Sequence, residues 1–192
     1  MKDKRRIIVA ITGASGTTYG IRLLEALRRH EEIEIHLIVS PWAEENIKIE
    51  TDYNMDRILE LAHYHYRNEE MAARIASGSF RVSGMVVIPC SMKTLAAISC
   101  GFADNLTARA ADVMLKERRT LIIVPRETPF NAIHLENMLR LARMGVSIAP
   151  PIPSFYHKPE SIDDLISHFT GRVLDLLEID HEMAGRWNGG QE

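Results

Sequence analysis

The apolar residues of this chain fall into short unbroken runs, and between the runs they recur every three or four positions. Ile7-Ile8-Val9-Ala10-Ile11, Gly84-Met85-Val86-Val87-Ile88-Pro89 and Leu121-Ile122-Ile123-Val124 are such runs. A strand buried on both faces reads this way, because helices cover a parallel sheet from both sides. Ile33 to Val39 predicts a second strand and Val146-Ser147-Ile148 a short last one. Helical spacing follows the first run, with Ile21, Leu24 and Leu27 on one face and Leu23 beside them. It returns over Thr107 to Arg118, over His134 to Met144 with Gly145 as the stop, and along a final stripe of Ile162, Leu165, Ile166, Phe169, Val173, Leu176 and Leu177. Strand and helix alternate throughout. The pattern predicts an α/β fold: a three-layer, doubly wound parallel sheet, Rossmann-like or flavodoxin-like. We read 1–192 as one domain, with 181–192 as a C-terminal tail.

Local signals refine the boundaries. Ser40-Pro41 starts a helix, with serine as N-cap and proline at the first helical position, and Thr51-Asp52-Tyr53 ends it after Glu50. A short helix is expected from Asp56 to Ala62 and another from Asn68 to Ile75, before a loop at Ser77-Gly78-Ser79-Phe80. His63-Tyr64-His65-Tyr66 alternates, so both histidines share a face. With no cysteine or carboxylate partner nearby they read as surface or packing residues, not metal ligands. Ser91 caps the helix after the third run, and Gly101 closes it. The proline-rich stretch Pro150 to Pro159 suits neither helix nor sheet interior and holds Tyr156 in a stiff loop. Ser161 caps the last helix, with Asp163 and Asp164 in its first turn.

Candidate chemistry gathers where strands end. The first run stops at Thr12-Gly13-Ala14-Ser15-Gly16, a tight turn into a helix whose N-terminal amides point outward and form an anion site. The glycines equally suit close helix–sheet packing, the reading that stands for Gly20. No Gly-Lys-Ser/Thr follows, so this is not a Walker loop. A dinucleotide site wants an acid at the end of the second strand. Ser40 stands there instead and suits flavin mononucleotide (FMN) or another phosphate better than NAD. Cys90-Ser91-Met92-Lys93-Thr94 repeats the design after the strand at Gly84. No histidine is placed to activate Cys90, which reads as a packing residue. Pro125-Arg126-Glu127-Thr128-Pro129 sets a cation beside an acid at another strand end, where open α/β sheets bind ligands. Arg172 lies beside the last apolar stripe, where it can leave the stripe for a ligand.

Composition narrows the class. The chain has 192 residues and a formal net charge of −3, which suggests neither nucleic acid nor a polybasic membrane anchor. No apolar run is long enough to span a bilayer, and the one after Arg6 is too short for a signal sequence. Cys90 and Cys100 offer no disulfide framework and point to a reducing cytoplasm.

Taken together, Gly13-Ala14-Ser15-Gly16, Glu50-Thr51, Pro89-Cys90-Ser91-Met92-Lys93-Thr94, Arg109-Ala110-Ala111-Asp112-Val113, Leu115-Lys116-Glu117-Arg118, Arg126-Glu127-Thr128-Pro129 and Phe155-Tyr156 resemble the UbiX-type flavin prenyltransferases. The likeness runs in order over nearly the whole chain. Ser40-Pro41-Trp42-Ala43 and Arg186-Trp187-Asn188-Gly189 look most like the members that accompany phenolic-acid decarboxylases. The resemblance implies transfer of a dimethylallyl group from dimethylallyl phosphate to reduced FMN, at N5 and then C6. The product would be the cofactor of a UbiD-type decarboxylase. It implies FMN contacts from Gly13, Ala14, Ser15, Ser40, Ser91, Met92, Lys93, Thr94 and Arg126. Arg109, Lys116, Tyr156 and Arg172 would surround the prenyl phosphate, and Trp187 could stabilise an allylic cation. Glu127 would help protonate the phosphate, and Glu50 with Ser15 would serve proton transfer near the flavin. Family members are homododecamers with sites between subunits. No DDxxD pattern is present, so the magnesium–diphosphate route lacks its ligands and no metal is expected. Two other readings stay open: an FMN-dependent cysteinyl decarboxylase, and a non-catalytic flavin carrier subunit. The first usually carries Pro-Ala-Ser-Ala-Asn-Thr where this chain has Pro89 to Thr94, and a histidine near Ser40-Pro41-Trp42.

Overall fold

The computed structural model describes residues 4–183. β1 (Arg5–Ile11), β2 (Ile33–Val39), β3 (Tyr64–Arg67), β4 (Gly84–Cys90), β5 (Thr120–Pro125) and β6 (Ser147–Ile148) form one sheet in the order β3-β2-β1-β4-β5-β6. Every neighbouring pair is parallel. The helices are α1 (Thr17–Arg28), α2 (Pro41–Glu50), α3 (Met55–Glu60), α4 (Met92–Cys100), α5 (Leu106–Lys116), α6 (Ala132–Arg143) and α7 (Ile162–Leu176).

The continuous apolar runs supply both faces of the sheet, because successive strand residues point to opposite sides. Ile7, Val9 and Ile11 of β1 pack with Leu23, Leu24 and Leu27 of α1 and with Phe169 and Val173 of α7. Ile8 and Ala10 join the other layer, with Leu95 and Ile98 of α4 and Ala111 and Met114 of α5. Gly20 sits where α1 crosses β4. A Cβ there would stand 2.6 Å from the carbonyl oxygen of Ile88, so the packing reading of this glycine holds.

Most expected elements are present, with shifts of a residue or two at their ends. Two expectations need correction, and one alternating segment gains an assignment. The stretch from Asn68 is not a helix. It runs through turns to a single 3₁₀ turn at Arg74–Ala76. The reason lies in α5, whose first amides use Asn68: Leu106 N donates to its carbonyl, and Thr107 N and Oγ1 donate to its side chain. The alternating segment after His63 is a true edge strand, β3, paired with β2. Its Tyr66 hydroxyl lies 2.9 Å from Nδ1 of the buried His36. Finally, Ile162 leaves the apolar stripe. It is 76% exposed in the first turn of α7, which begins away from the core.

The chain winds from β1 outward to β3, returns to β4, and winds outward the other way to β6. The reversal falls between β1 and β4. In open α/β sheets that point opens a crevice outside the carboxyl ends of the strands.

Candidate active site at the β1–β4 switch point

Thr12 ends β1 as a buried hydroxyl that ties two strand ends together. Its Oγ1 donates to the Pro89 carbonyl at 2.8 Å and accepts from Ser91 N at 2.8 Å. Thr12 was not among the expected site residues. A hydroxyl directly after the apolar run Ile7 to Ile11 was the available signal.

The turn that follows reaches Gly16, which has φ 97°, a left-handed backbone that glycine adopts without penalty. Gly16 is the N-cap of α1 and has no side chain to cap it. Glu50, at the last residue of α2, does that work from a distance in sequence. Its Oε2 accepts from Gly16 N at 2.9 Å, Thr17 N at 2.9 Å and Thr17 Oγ1 at 2.8 Å. Burial pushes this carboxyl up. Hydrogen bonds from the Ser15 side chain, Thr17 and the Gly16 amide outweigh it and hold the group below its ordinary value. The carboxylate is therefore ionised and docked where the helix leaves its amides open. This corrects the expectation that the α1 N-terminus is an open anion site, since the protein's own carboxylate fills it.

Two further helix starts face the same crevice. Ser40 caps α2, its Oγ accepting from Ala43 N at 3.3 Å, and Pro41 leaves the first helical position without an N–H. Ser91 caps α4, accepting from Thr94 N and donating to Thr94 Oγ1 at 3.1 Å. The amides of Met92 and Lys93 have no intrahelical partner by position, and the Lys93 side chain is exposed beside them. Of the three helix starts, that of α4 is the one suited to an anion. Cys90 lies directly before it, fully buried, and burial pushes its thiol far above its ordinary value. A thiol so placed is not a nucleophile.

Arg126 follows β5 and reaches across the switch point. Its Nε donates to the Ser15 carbonyl at 3.0 Å. Glu127 is exposed, and its Oε1 accepts from Thr128 N at 3.0 Å. The two are neighbours in sequence but do not pair with each other. The crevice thus gathers Gly13, Ala14, Ser15, Ser40, Glu50, Ser91 to Thr94, Arg126 and Glu127 at the carboxyl ends of four strands.

The remaining candidates have other partners. Lys116 ends α5, four residues before β5 begins, so it lies at the amino edge of the sheet. A strand of this length separates the two edges by roughly 20 Å. Lys116 pairs with Glu117. Arg109 donates to the Ala76 carbonyl at 3.1 Å and to Asp112 at 2.6 Å. Arg172 pairs with Asp175 at 2.6 Å, and Tyr156 lies 2.7 Å from His168 Nε2. Trp187 lies outside the described residues. Two clefts of about 430 Å³ occur elsewhere. One is lined by Met114, Arg118 and Met144 and the other by His157, Lys158 and His168. The shelf at the strand ends presents amides, hydroxyls and the Lys93 and Arg126 cations. No cluster of potential metal ligands occurs among the described residues.

Comparison with known proteins bears on this shelf. The Flavoprotein family model matches residues 1–174. The chain is 52% identical over 185 residues to flavin prenyltransferase LpdB of Lactiplantibacillus plantarum, an alignment covering 96% of this chain and 99% of that one. The structure of AnUbiX (PadA1) in complex with FMN and dimethylallyl pyrophosphate superposes with a TM-score of 0.95 at 55% identity, covering 98% and 100% of the two chains. A dodecameric FMN-dependent UbiX-like decarboxylase from Escherichia coli O157:H7 superposes with a TM-score of 0.94 at 52% identity, covering 96% and 100%. The peptidyl-cysteine decarboxylase EpiD, at 16% identity and a TM-score of 0.66, shares the fold alone.

Proposed function

The chain belongs to the flavoprotein family, among the UbiX-type flavin prenyltransferases, and on that premise we propose that its switch-point shelf joins a dimethylallyl group to reduced FMN. The protein is a flavin prenyltransferase and a flavoprotein of FMN. The observation that carries the finer reading is the meeting of Ser15, Glu50 and Arg126 at one turn. It occurs in a chain 55% identical to a relative bound to FMN and dimethylallyl pyrophosphate.

The donor set fits the flavin. Gly13, Ala14 and Ser15 meet the ring edge, since the neighbouring α1 amides are occupied by Glu50. Ser40, Ser91, Met92, Lys93, Thr94 and Arg126 complete its site, with the phosphate toward α4, where amides and the Lys93 cation coincide. When bound, reduced FMN supplies the nucleophilic N5 and then C6. The protein's residues do the rest. Arg109, Lys116, Tyr156 and Arg172 surround the phosphate of the prenyl donor and stabilise charge as it develops, in place of a metal. The Trp187 face stabilises the allylic cation. Glu127 delivers a proton to the departing phosphate, and ionised Glu50, hydrogen-bonded to Ser15, accepts one near the flavin. Dimethylallyl phosphate is the donor we assign.

Lys116 cannot reach the shelf of its own protomer across the sheet, so the site is completed by neighbouring copies. We assign a homododecamer, the assembly of the Escherichia coli relative. Trp42 at 74%, Ile49 at 80% and Phe155 at 71% exposure are apolar surface of the kind that assembly covers. The chain works as one domain over 1–192, in the cytoplasm, and passes its product to a UbiD-type decarboxylase. No described helix is long and apolar enough to cross a membrane.

The test is anaerobic turnover of reduced FMN with dimethylallyl phosphate, with the diphosphate in parallel, read by mass spectrometry of the flavin. The expected result is FMN that has gained one dimethylallyl group. Unmodified FMN with decarboxylation of a cysteinyl peptide would favour the decarboxylase reading. Unmodified FMN released unchanged would leave a carrier.

A further inference from the structure

Tyr156, itself exposed, is held from below by a partly buried network. His168 lies on α7 and is 7% exposed. Its Nδ1 is 3.1 Å from Ser154 Oγ, and its Nε2 is 2.7 Å from the Tyr156 hydroxyl. His157 stacks on the His168 ring at 4.2 Å with the planes 2° apart, and Tyr156 stands edge-on to His168 at 5.4 Å. His157 contributes stacking only, since both of its ring nitrogens are buried and without a hydrogen-bond partner among the described residues. The rings fix where the tyrosine oxygen sits. They leave open which way its proton points.

A neutral imidazole has one donor and one acceptor, so the network has two arrangements. In one, His168 donates from Nδ1 to Ser154 and accepts the tyrosine proton at Nε2. In the other, Ser154 donates to Nδ1, Nε2–H donates to the tyrosine oxygen, and the tyrosine O–H points away from His168. Burial, then the neighbouring His157 and Arg172, hold His168 below its ordinary value against the pull of Asp175, which keeps it in the neutral form that both arrangements need. An ionised phosphate monoester only accepts hydrogen bonds from such a group, so it selects the second arrangement. A hydroxyl that accepts one hydrogen bond also donates another more strongly.

We infer that His168 and Ser154 are positioning residues that turn the Tyr156 hydroxyl into a directed donor toward the phosphate of the prenyl substrate. This rests on the reading of Tyr156 as a phosphate ligand. The test is steady-state kinetics on the assembled protein with dimethylallyl phosphate varied, together with FMN titration and thermal melting. The variants are Tyr156→Phe, His168→Phe, His168→Gln and the double variant Tyr156→Phe/His168→Phe. His168→Phe should raise KM for dimethylallyl phosphate roughly three- to tenfold, the effect of one misdirected hydrogen bond, with FMN affinity near wild type. His168→Gln, which keeps a donor and an acceptor, should restore it. The double variant should match Tyr156→Phe alone, because residues acting through one group are not additive. If His168→Phe does not fold, Ser154→Ala should show a smaller rise that also vanishes in the Tyr156→Phe background. A full His168 effect in that background, or no rescue by glutamine, would reduce His168 to packing and overturn the inference while leaving Tyr156 on the phosphate. A wild-type KM in Tyr156→Phe would remove the parent reading and the inference with it.

Discussion

Glu127 and Glu50 are both carboxylates near one turn, and their surroundings give them different work. Glu127 is exposed and, among the described residues, accepts from the next amide, Thr128 N. It keeps the freedom to meet a departing phosphate. Glu127→Gln preserves shape and removes the acid. We expect FMN affinity near wild type and prenyl transfer slowed by about 10²–10⁴-fold, measured in anaerobic single turnover beside a flavin titration. Glu50, by contrast, is locked to Gly16 and Thr17. Its folded-state value lies below its unfolded one, so its stabilisation is present above the ordinary carboxylate range and is lost as pH falls through the folded value. Glu50→Gln should cost about 0.5–1 kcal/mol at pH 7, toward the low end for a cap because the group is partly solvated. Melting curves should show the gap between variant and wild type closing as pH falls below the usual range of glutamates. A gap that widens on acidification would contradict this assignment.

At the scale of elements, the sheet and α1 approach each other more closely than a side chain allows. Gly20 faces the Ile88 carbonyl, with Ile11 on the other side of the contact. The Ile88 oxygen is backbone and cannot swing away. Gly20→Ala should destabilise by about 1–3 kcal/mol, as overpacking does, even though alanine is the better helix former. Chemical denaturation of both forms checks this, and an unchanged or raised midpoint would show that α1 can slide. The same crossing aims the N-terminus of α1 at the switch point, so such a shift should also disturb the Glu50 contacts. Elements with strong local signals behaved as their patterns say. Ser40-Pro41 and Ser91 start helices, and Gly101 and Gly145 lie beyond helix ends at positive φ. The stretch at Asn68 did not, because the Asn68 carbonyl and side chain are taken by the first amides of α5 and the residues after it close only short turns.

For the whole molecule, the distance between Lys116 and the shelf is the decisive fact. If catalysis needs Lys116 beside Glu127, the two must come from different copies. Lys116→Ala and Glu127→Gln should each be nearly inactive alone. Co-assembled from equal amounts, they should recover about a quarter of wild-type activity, the random-mixing share when two chains build each site in a closed oligomer. Mass analysis of the mixed assemblies confirms that chains have exchanged. Recovery absent from verified mixtures would show that both residues act within one protomer, and a fully active Lys116→Ala alone would show that Lys116 takes no part.

The sequence by itself determined the layers of this protein. Apolar runs buried on both faces, alternating with helical stripes, admit little else than a doubly wound parallel sheet, because each strand residue must be covered on its own side. It also marked the strand ends where Ser15, Ser40, Ser91 and Arg126 stand, since small and polar residues there break an otherwise unbroken apolar pattern. Only the tertiary structure decided what those ends touch. Glu50 lies 34 residues from Gly16, and no local pattern could show that its carboxylate closes the α1 N-terminus. Arg126 stands beside Glu127 in the chain, and the fold sends it to Ser15, 111 residues away. Lys116 and Arg126 are ten positions apart in the chain and lie at opposite edges of the sheet, because a strand stands between them. Periodicity records which side of an element is buried. The partner of a charged group depends on how elements cross, and that is set by packing far along the chain.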